Sequence, residues 1–321
     1  MTTATTTGAA AILGTGSWVP DRVVGNDEVV AHTGGPSHWI TRKTAIVERR
    51  WADEGTSTAD AAEHAARAAL AAADVAPEQL GLIVLATSTP DQPQPPTACT
   101  VQDRLGAVGA AALDLNAVCS GFLFALATAR GLLATGEAGR HALIIGADLY
   151  SRILDRTDHR TVVLFGDGAG AVVLGPARQE GRGEILATRL RSFGSRRSLI
   201  EVPPGGLFRM DGRAVSDFVL REVPPAVGAF LADNEVALAD IRHLFVHQAN
   251  GVLVDKIAAE LGLLPGTVVH KTVDRYGNTA SAAVPLTLDR AYRTGTCAPG
   301  ESALLLAFGG GMAVGMALIR T

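Results

Sequence analysis

The strongest constraint on this 321-residue chain is that its second half repeats the apolar segments of its first half in the same order. Ala11-Ile-Leu-Gly-Thr returns as Glu184-Ile-Leu-Ala-Thr. Gly81-Leu-Ile-Val-Leu-Ala and its helix return as Ile241-Arg-His-Leu-Phe-Val with a helical run to Leu261. Ala142-Leu-Ile-Ile-Gly returns as Ala303-Leu-Leu-Leu-Ala, and Ala169 to Leu174 as Ala313 to Ile319. One short match carries little, but an ordered series marks a duplicated βα unit. The runs are continuous and of strand length, Leu82 to Ala86 being typical, which marks strands buried on both faces. With helical segments between them, each half is an α/β layer. The expected halves are residues 1–175 and 183–321, packed as one body because both are so apolar. Hydrophobic residues make up 47% of the chain but aromatics only 5%, so the core must be closely packed small aliphatic side chains.

Local signals fill in the frame. Ala9 to Leu13 reads as a strand ending at Gly14-Thr15-Gly16, and Thr58 as the N-cap of an Ala-rich helix to Ala73. Prolines exclude regular structure from Pro90 to Pro96, and a helix is expected over Thr97 to Leu105. Val162 to Leu174 reads as two short strands around Gly-Asp-Gly-Ala-Gly, with a linker from Pro176 to Gly183.

Several classes of function are disfavoured. The net charge of −4 offers no basic footprint for nucleic acid. The three cysteines, Cys99, Cys119 and Cys297, are odd in number and unpaired by any CxxC spacing. That argues for a reducing compartment, against a disulfide framework and against a zinc site. Met1 to Gly8 lacks the basic and apolar regions of a secretory signal. The uncharged stretch Ser302 to Ile319 is broken by glycines and reads as strand, turn, strand rather than a membrane span. A soluble, cytoplasmic protein is expected.

Four segments can carry chemistry. Cys119 lies between a strand-like run and an apolar helical run, at a helix start, where unpaired N–H groups and the helix dipole favour a thiolate. Taken alone, it reads equally as a buried small hydrophobe. His247, in His-Gln-Ala-Asn, follows a buried strand, where α/β folds place ligand chemistry; it reads otherwise as a structural histidine. Asn278, in Gly-Asn-Thr-Ala-Ser, could donate to developing negative charge or simply turn the chain. Gly309-Gly310-Gly311 lets the backbone approach a substrate closely or forms a tight turn. Gly166-Asp-Gly-Ala-Gly lacks the spacing and the following helix of a phosphate loop.

Together these segments are far more specific. Ala-Val-Cys119-Ser-Gly-Phe, Val-His247-Gln-Ala-Asn, Gly-Asn278-Thr-Ala-Ser and Ala-Phe308-Gly-Gly-Gly, in this order, closely resemble β-ketoacyl-acyl carrier protein synthase III. Ile12-Leu-Gly-Thr-Gly-Ser-Trp-Val-Pro, the Trp39 segment and Phe165-Gly-Asp-Gly-Ala-Gly-Ala extend the resemblance over essentially the whole chain. It implies the thiolase fold, five-layered αβαβα, in a homodimer. It also implies that Cys119 takes an acyl group from a thioester, and that His247 and Asn278 support decarboxylation of a malonyl thioester and stabilise its enolate. The N–H groups of Cys119 and Gly310 would form the oxyanion hole. Trp39, Lys43, His159, Arg160, Asn250 and Phe308 would meet substrate or coenzyme A, and Pro95 would shape the acyl pocket across the dimer. The substrates would be acyl-coenzyme A or acyl carrier protein, with no metal or redox cofactor.

The departures bear on recognition rather than chemistry. Lys43 and His159 stand where the family carries arginines, and the residue types are not equivalent at stacked or bidentate sites. Val252 replaces an arginine of the usual carrier-docking patch, and Pro95 an aromatic of the acyl pocket. The expected enzyme is a specialised relative that condenses an unusual acyl group with a malonyl-carrier protein to give a 3-oxoacyl thioester. The alternative is an acyltransferase that passes the acyl group to a hydroxyl, amine or carrier thiol without condensation, with His247 as general base. Retention of Cys119, His247 and Asn278 speaks against a non-catalytic scaffold. The repeat and the Gly-rich loop are foreign to papain-like hydrolases.

Overall fold

The structure, a computed structural model, describes residues 10–178 and 183–321, so the Met1 to Gly8 segment and the middle of the Pro176 to Gly183 linker, residues 179–182, lie outside the described residues. The strands of the first repeat are β1 (Ala10–Trp18), β2 (Leu80–Ala86), β3 (Ala111–Leu115), β4 (His141–Asp148) and β5 (Gly168–Pro176). Those of the second are β6 (Ile185–Ser192), β7 (His243–Val246), β8 (Val268–Val269), β9 (Ser302–Gly309) and β10 (Ala313–Arg320). The sheets run β1-β5-β4-β2-β3 and β6-β10-β9-β7-β8, each strand answered by the one five places later. Strand directions agree as well. The first two pairings of each order are antiparallel and the last two parallel.

Each repeat packs three of its helices on these sheets: α1 (Thr58–Ala73), α2 (Thr97–Leu105) and α3 (Gly121–Thr135), then α4 (Gly212–Asp233), α5 (Gly251–Leu261) and α6 (Ala283–Arg293). α1 and α2 cover the outer face of the first sheet through Ala65, Ala69 and Val101. α4 and α5 cover the outer face of the second through Phe218, Val223 and Ile257. α3 and α6 lie between the sheets, where Phe122, Leu126, Val284 and Leu288 meet Val84 and Ile144 on one side and Phe245 and Leu305 on the other. The result is five layers, αβαβα. It also explains the uninterrupted apolar strands: Val84 and Ala86 face the central layer while Ile83 and Leu85 face the outer one. The apolar run Val118–Thr135, membrane-like in composition, is this central helix and its lead-in turn.

Local readings need three corrections. β1 does not stop at Gly14 but runs to Trp18. Its glycines are the bed for α1, since a Cβ on Gly14 or Gly16 would lie 2.3 Å from Ala73 N or 2.4 Å from Ala65 O. The cap of α1 is Ser57 rather than Thr58, because Ser57 and Asp60 exchange side-chain and backbone hydrogen bonds in a capping box. Thr58 instead donates its hydroxyl to the Thr89 carbonyl at 2.6 Å. Finally, Val162 to Leu174 holds one strand, β5, not two. The buried Asp167 accepts hydrogen bonds from Ser151 N–H, Ser151 Oγ–H and Ala52 N–H, which holds the preceding residues as a loop.

Candidate active site

Cys119 stands in a 3₁₀ turn, Val118–Ser120, between β3 and the N-terminus of α3. Val118 has φ +50°, a strained backbone for a β-branched residue. The turn is pinned at both ends: Val118 N–H donates to Asn116 Oδ1 at 3.1 Å, and Ser120 Oγ–H to the Ala313 carbonyl at 2.9 Å. Against it lies the glycine loop that follows β9. A Cβ on Gly309 would fall 2.7 Å from Cys119 Cβ and 2.9 Å from Cys119 N, and one on Gly310 would fall 2.9 Å from Val118 Cγ2. The surface these glycines approach so closely is therefore the Cys119 turn itself. Cys119 N–H belongs to the first turn of a helix, where donors lack intrahelical acceptors, as an oxyanion hole requires.

Burial opposes the thiolate that the helix start favours. Cys119 is buried, and desolvation, followed by the charge of Asp148, pushes its thiol well above the ordinary range. Helix-start donors oppose this but do not reverse it.

His247 continues β7 by donating its N–H to the Leu306 carbonyl at 2.8 Å. Its ring meets Phe308 edge-on, with centroids 5.3 Å apart. The imidazole is buried, its Nδ1 has no hydrogen-bond partner among the described residues, and burial lowers its pKa to about 3. It is a neutral imidazole at physiological pH. Asn278 lies on the loop before α6 that packs against the Cys119 turn. Its Oδ1 accepts from Ala280 N–H at 2.9 Å, so the amide is oriented and Nδ2–H is left as the donor.

Two buried polar residues that the sequence reading passed over hold these loops. Asp148, ending β4, accepts from Ser88 N–H and Oγ–H on one side and from Ser281 N–H and Oγ–H on the other. Gln248 donates to the Val246 and His270 carbonyls and accepts from Thr272 and Val273 N–H, tying the His247 strand to the stretch that leads to Asn278. An acid ending an apolar strand was the only trace of the first; Gln248 left none beyond its place in the motif.

The expected recognition residues separate into groups. Trp39 and His159 come together, ring centroids 6.5 Å apart, in a cavity of about 330 Å³ also lined by Ile40, Pro36 and Val163. Ile40 and Val163 belong to the same apolar cluster as Cys119. Lys43 and Arg160 are exposed. Asn250 caps α5, its Oδ1 accepting from Leu253 N–H at 2.8 Å. Phe308 is buried and its contact is with His247. Pro95 is exposed on the loop before α2.

A duplicated five-layered fold, with a cysteine at the head of one central helix and a histidine and an asparagine on loops of the other repeat, defines a thiolase-fold condensing enzyme. Within that class the chain belongs to the 3-oxoacyl-(acyl-carrier-protein) synthase III family: the family's two models match residues 113–194 and 231–321. It is 52% identical over 325 residues to acetoacetyl CoA synthase NphT7 of Streptomyces sp. strain CL190, spanning 96% of this chain and 98% of that protein. It is 46% identical over 320 residues to β-ketoacyl-acyl-carrier-protein synthase III of Bradyrhizobium sp. strain BTAi1, at 96% and 98% coverage. Among solved structures, the synthase III of Aquifex aeolicus VF5 superposes with a TM-score of 0.92 at 37% identity, covering 97% of this chain and all (100%) of the other. The priming β-ketosynthase of the R1128 polyketide pathway gives 0.92 at 31% identity, with 98% and 96% covered.

Proposed function

We propose that this enzyme loads an acyl group onto Cys119 and condenses it with a malonyl thioester, releasing carbon dioxide and a 3-oxoacyl thioester. The observation that carries this is the packing of the glycine loop and of the Asn278 loop against the Cys119 turn, with the neutral His247 ring on Phe308 at the entry to that glycine loop. In the first half-reaction, Cys119 sulfur attacks the donor thioester carbonyl. The oxyanion rests on the N–H groups of Cys119 and Gly310, and the thiol proton leaves with the departing thiolate of the donor. In the second, the malonyl C–C bond breaks and carbon dioxide departs. Its electron pair forms an enolate whose oxygen faces the His247 ring and Asn278 Nδ2–H. The enolate carbon attacks the acyl-Cys119 carbonyl, and collapse expels the Cys119 thiolate, which takes a proton from solvent to restore the resting thiol. A neutral imidazole suits this task, because it can donate one hydrogen bond to the enolate without protonating its carbon.

The malonyl carrier is a carrier protein in the family's usual reaction. A second reading places malonate on coenzyme A, favoured by the 52%-identical relative named for acetoacetyl CoA synthesis and by Val252 in the docking patch. In both, the Trp39 and His159 cavity receives the adenine end of a coenzyme A thioester, Pro95 reaches the acyl pocket of a second subunit in a homodimer, and the enzyme works in the cytoplasm. The test supplies acyl-coenzyme A with either malonyl-coenzyme A or malonyl-carrier protein and follows carbon dioxide and product mass. A product longer by two carbons from either acceptor supports condensation, and the faster acceptor identifies the carrier. Acyl transfer with malonate untouched would establish the non-condensing alternative instead.

A further inference from the structure

Away from Cys119, three potential metal ligands meet at the far end of the second sheet. His243 opens β7, His270 follows β8, and Cys297 lies in the loop between α6 and β9. His243 Nδ1 is 3.0 Å from His270 Nε2, and Cys297 Sγ is 3.8 Å from the same nitrogen. All three donor atoms lie within 4.8 Å of one another. A tetrahedral zinc ion, with bonds of about 2.0–2.1 Å to nitrogen and about 2.3 Å to sulfur, separates its ligand atoms by roughly 3.3–3.6 Å. The observed spacings bracket that range, so small side-chain adjustments admit the ion.

The surroundings are those of a ligand set. On its other face, His243 Nε2 lies 2.7 Å from Glu301 Oε2. A carboxylate there fixes the proton on Nε2 and turns the Nδ1 lone pair into the cluster, as in carboxylate–histidine–metal triads. Glu301 is itself held, its Oε2 accepting from Ala298 N–H at 2.8 Å. The His270 ring stacks on Phe245, centroids 4.2 Å apart and 5° from parallel, which fixes its orientation. Both histidines are buried, while Cys297 is half-buried and leaves a route for ion and solvent. His243 and His247 are four residues apart along one extended run, about 13 Å, so this cluster is separate from the catalytic histidine.

We propose that His243, His270 and Cys297 bind a divalent transition-metal ion of the zinc class, with Glu301 orienting His243 and solvent in the fourth position. The bound ion ties β7, β8 and the loop ahead of β9 together at the end of the sheet remote from the chemistry, as a structural clamp. On binding, Cys297 loses its proton to solvent and its thiolate joins the metal, while the His270 ring changes tautomer, giving up the proton on Nε2 and taking one on Nδ1, so that Nε2 offers its lone pair.

The probe is cobalt(II) alone, titrated into chelator-treated full-length protein. One equivalent is expected to produce thiolate-to-cobalt charge-transfer absorbance and the visible bands of tetrahedral coordination. Cys297→Ser removes the charge-transfer band, and Cys119→Ala retains it. Glu301→Gln, which leaves all three ligands in place, weakens cobalt binding by about 10- to 100-fold. Zinc is expected to raise the melting temperature of the wild type but not of Cys297→Ser. Absence of the band in wild type, or a band that survives Cys297→Ser and vanishes in Cys119→Ala, overturns the proposal and leaves the cluster a His–His–Glu hydrogen-bond relay.

Discussion

Asp148 accepts hydrogen bonds from both the Oγ–H and the N–H of Ser281, at 2.6 Å and 3.0 Å, so a buried carboxylate of the first repeat holds the loop that carries Asn278 in the second. Burial pushes this carboxyl up, and hydrogen bonds from Ser281 and Ser88 work against that to keep it an acceptor. Ser281→Ala is expected to cost about 1.5–3 kcal/mol, the range for a hydrogen bond to a charged group. The kinetic signature is selective. Acyl-Cys119 should still form, while carbon dioxide release from the malonyl thioester slows by about tenfold or more, since 1.4 kcal/mol is a factor of ten. Denaturant midpoints and labelled carbon dioxide check both; undiminished decarboxylation would uncouple Asp148 from Asn278.

The glycine loop predicts a contrast between neighbours. Gly309→Ala would place its methyl group 2.7 Å from Cys119 Cβ, displacing the nucleophile turn. Overpacking of this kind costs about 1–3 kcal/mol and should abolish acylation, read by intact-protein mass after incubation with an acyl donor. Gly311 has φ +69° and open space around its missing Cβ. Asn tolerates that conformation, so Gly311→Asn should acylate at close to the wild-type rate. Equal damage at both positions would count against a specific contact with Cys119.

Burial of His247 makes a pH prediction. Its folded pKa is about 3, against an ordinary value of 6.5, so between these values the unfolded chain binds a proton that the folded one does not. Its contribution to stability is therefore fully present above pH ~6.5 and lost as the pH falls toward ~3, with a slope of at most about 1.4 kcal/mol per pH unit. His247→Gln should flatten the stability curve over that window, measured by denaturant titration at several pH values. The condensation rate should show no inflection near pH ~6.5 that disappears in His247→Gln, because the imidazole stays neutral there.

At the cavity between Trp39 and His159, loss of the indole should separate binding from chemistry. Trp39→Ala is expected to raise KM for coenzyme A thioesters by about 5- to 100-fold, since stacking a base on an aromatic ring is worth about 1–3 kcal/mol. kcat should hold, and a pantetheine-length donor, lacking the adenine, should show little change. His159→Arg should lower KM by restoring a planar cation able to stack. A pantetheine donor that suffers as much as the full thioester would place the adenine elsewhere.

Much of the fold was legible because duplication and burial leave local marks. The two matching α/β halves follow from repeated apolar runs, whereas the strand order within each sheet does not, and Leu82 to Ala86 reads as doubly buried because residues of both parities carry aliphatic side chains. Misreadings arose where a local signal served a distant partner. Gly14 and Gly16 look like a turn, yet they are flat strand surface for α1. Gly166-Asp-Gly looks like the bend of a hairpin, yet Asp167 is occupied by Ser151 and Ala52. Ser57 and Thr58 are both good caps, and only the pairing with Asp60 chooses between them.

By itself, the sequence determined the α/β class and the duplication and singled out Cys119, His247 and Asn278 as candidates, because strand period, apolar content and motif order are properties of neighbouring residues. Tertiary structure alone decided what surrounds them. The dry environment that raises the Cys119 thiol and keeps His247 neutral, the Asp148 to Ser281 tie and the meeting of His243, His270 and Cys297 all join residues far apart in the chain. Desolvation and long-range contact depend on which surfaces pack together. No spacing rule along the chain encodes that, and nothing in the cysteine spacing brings Cys297 beside two histidines.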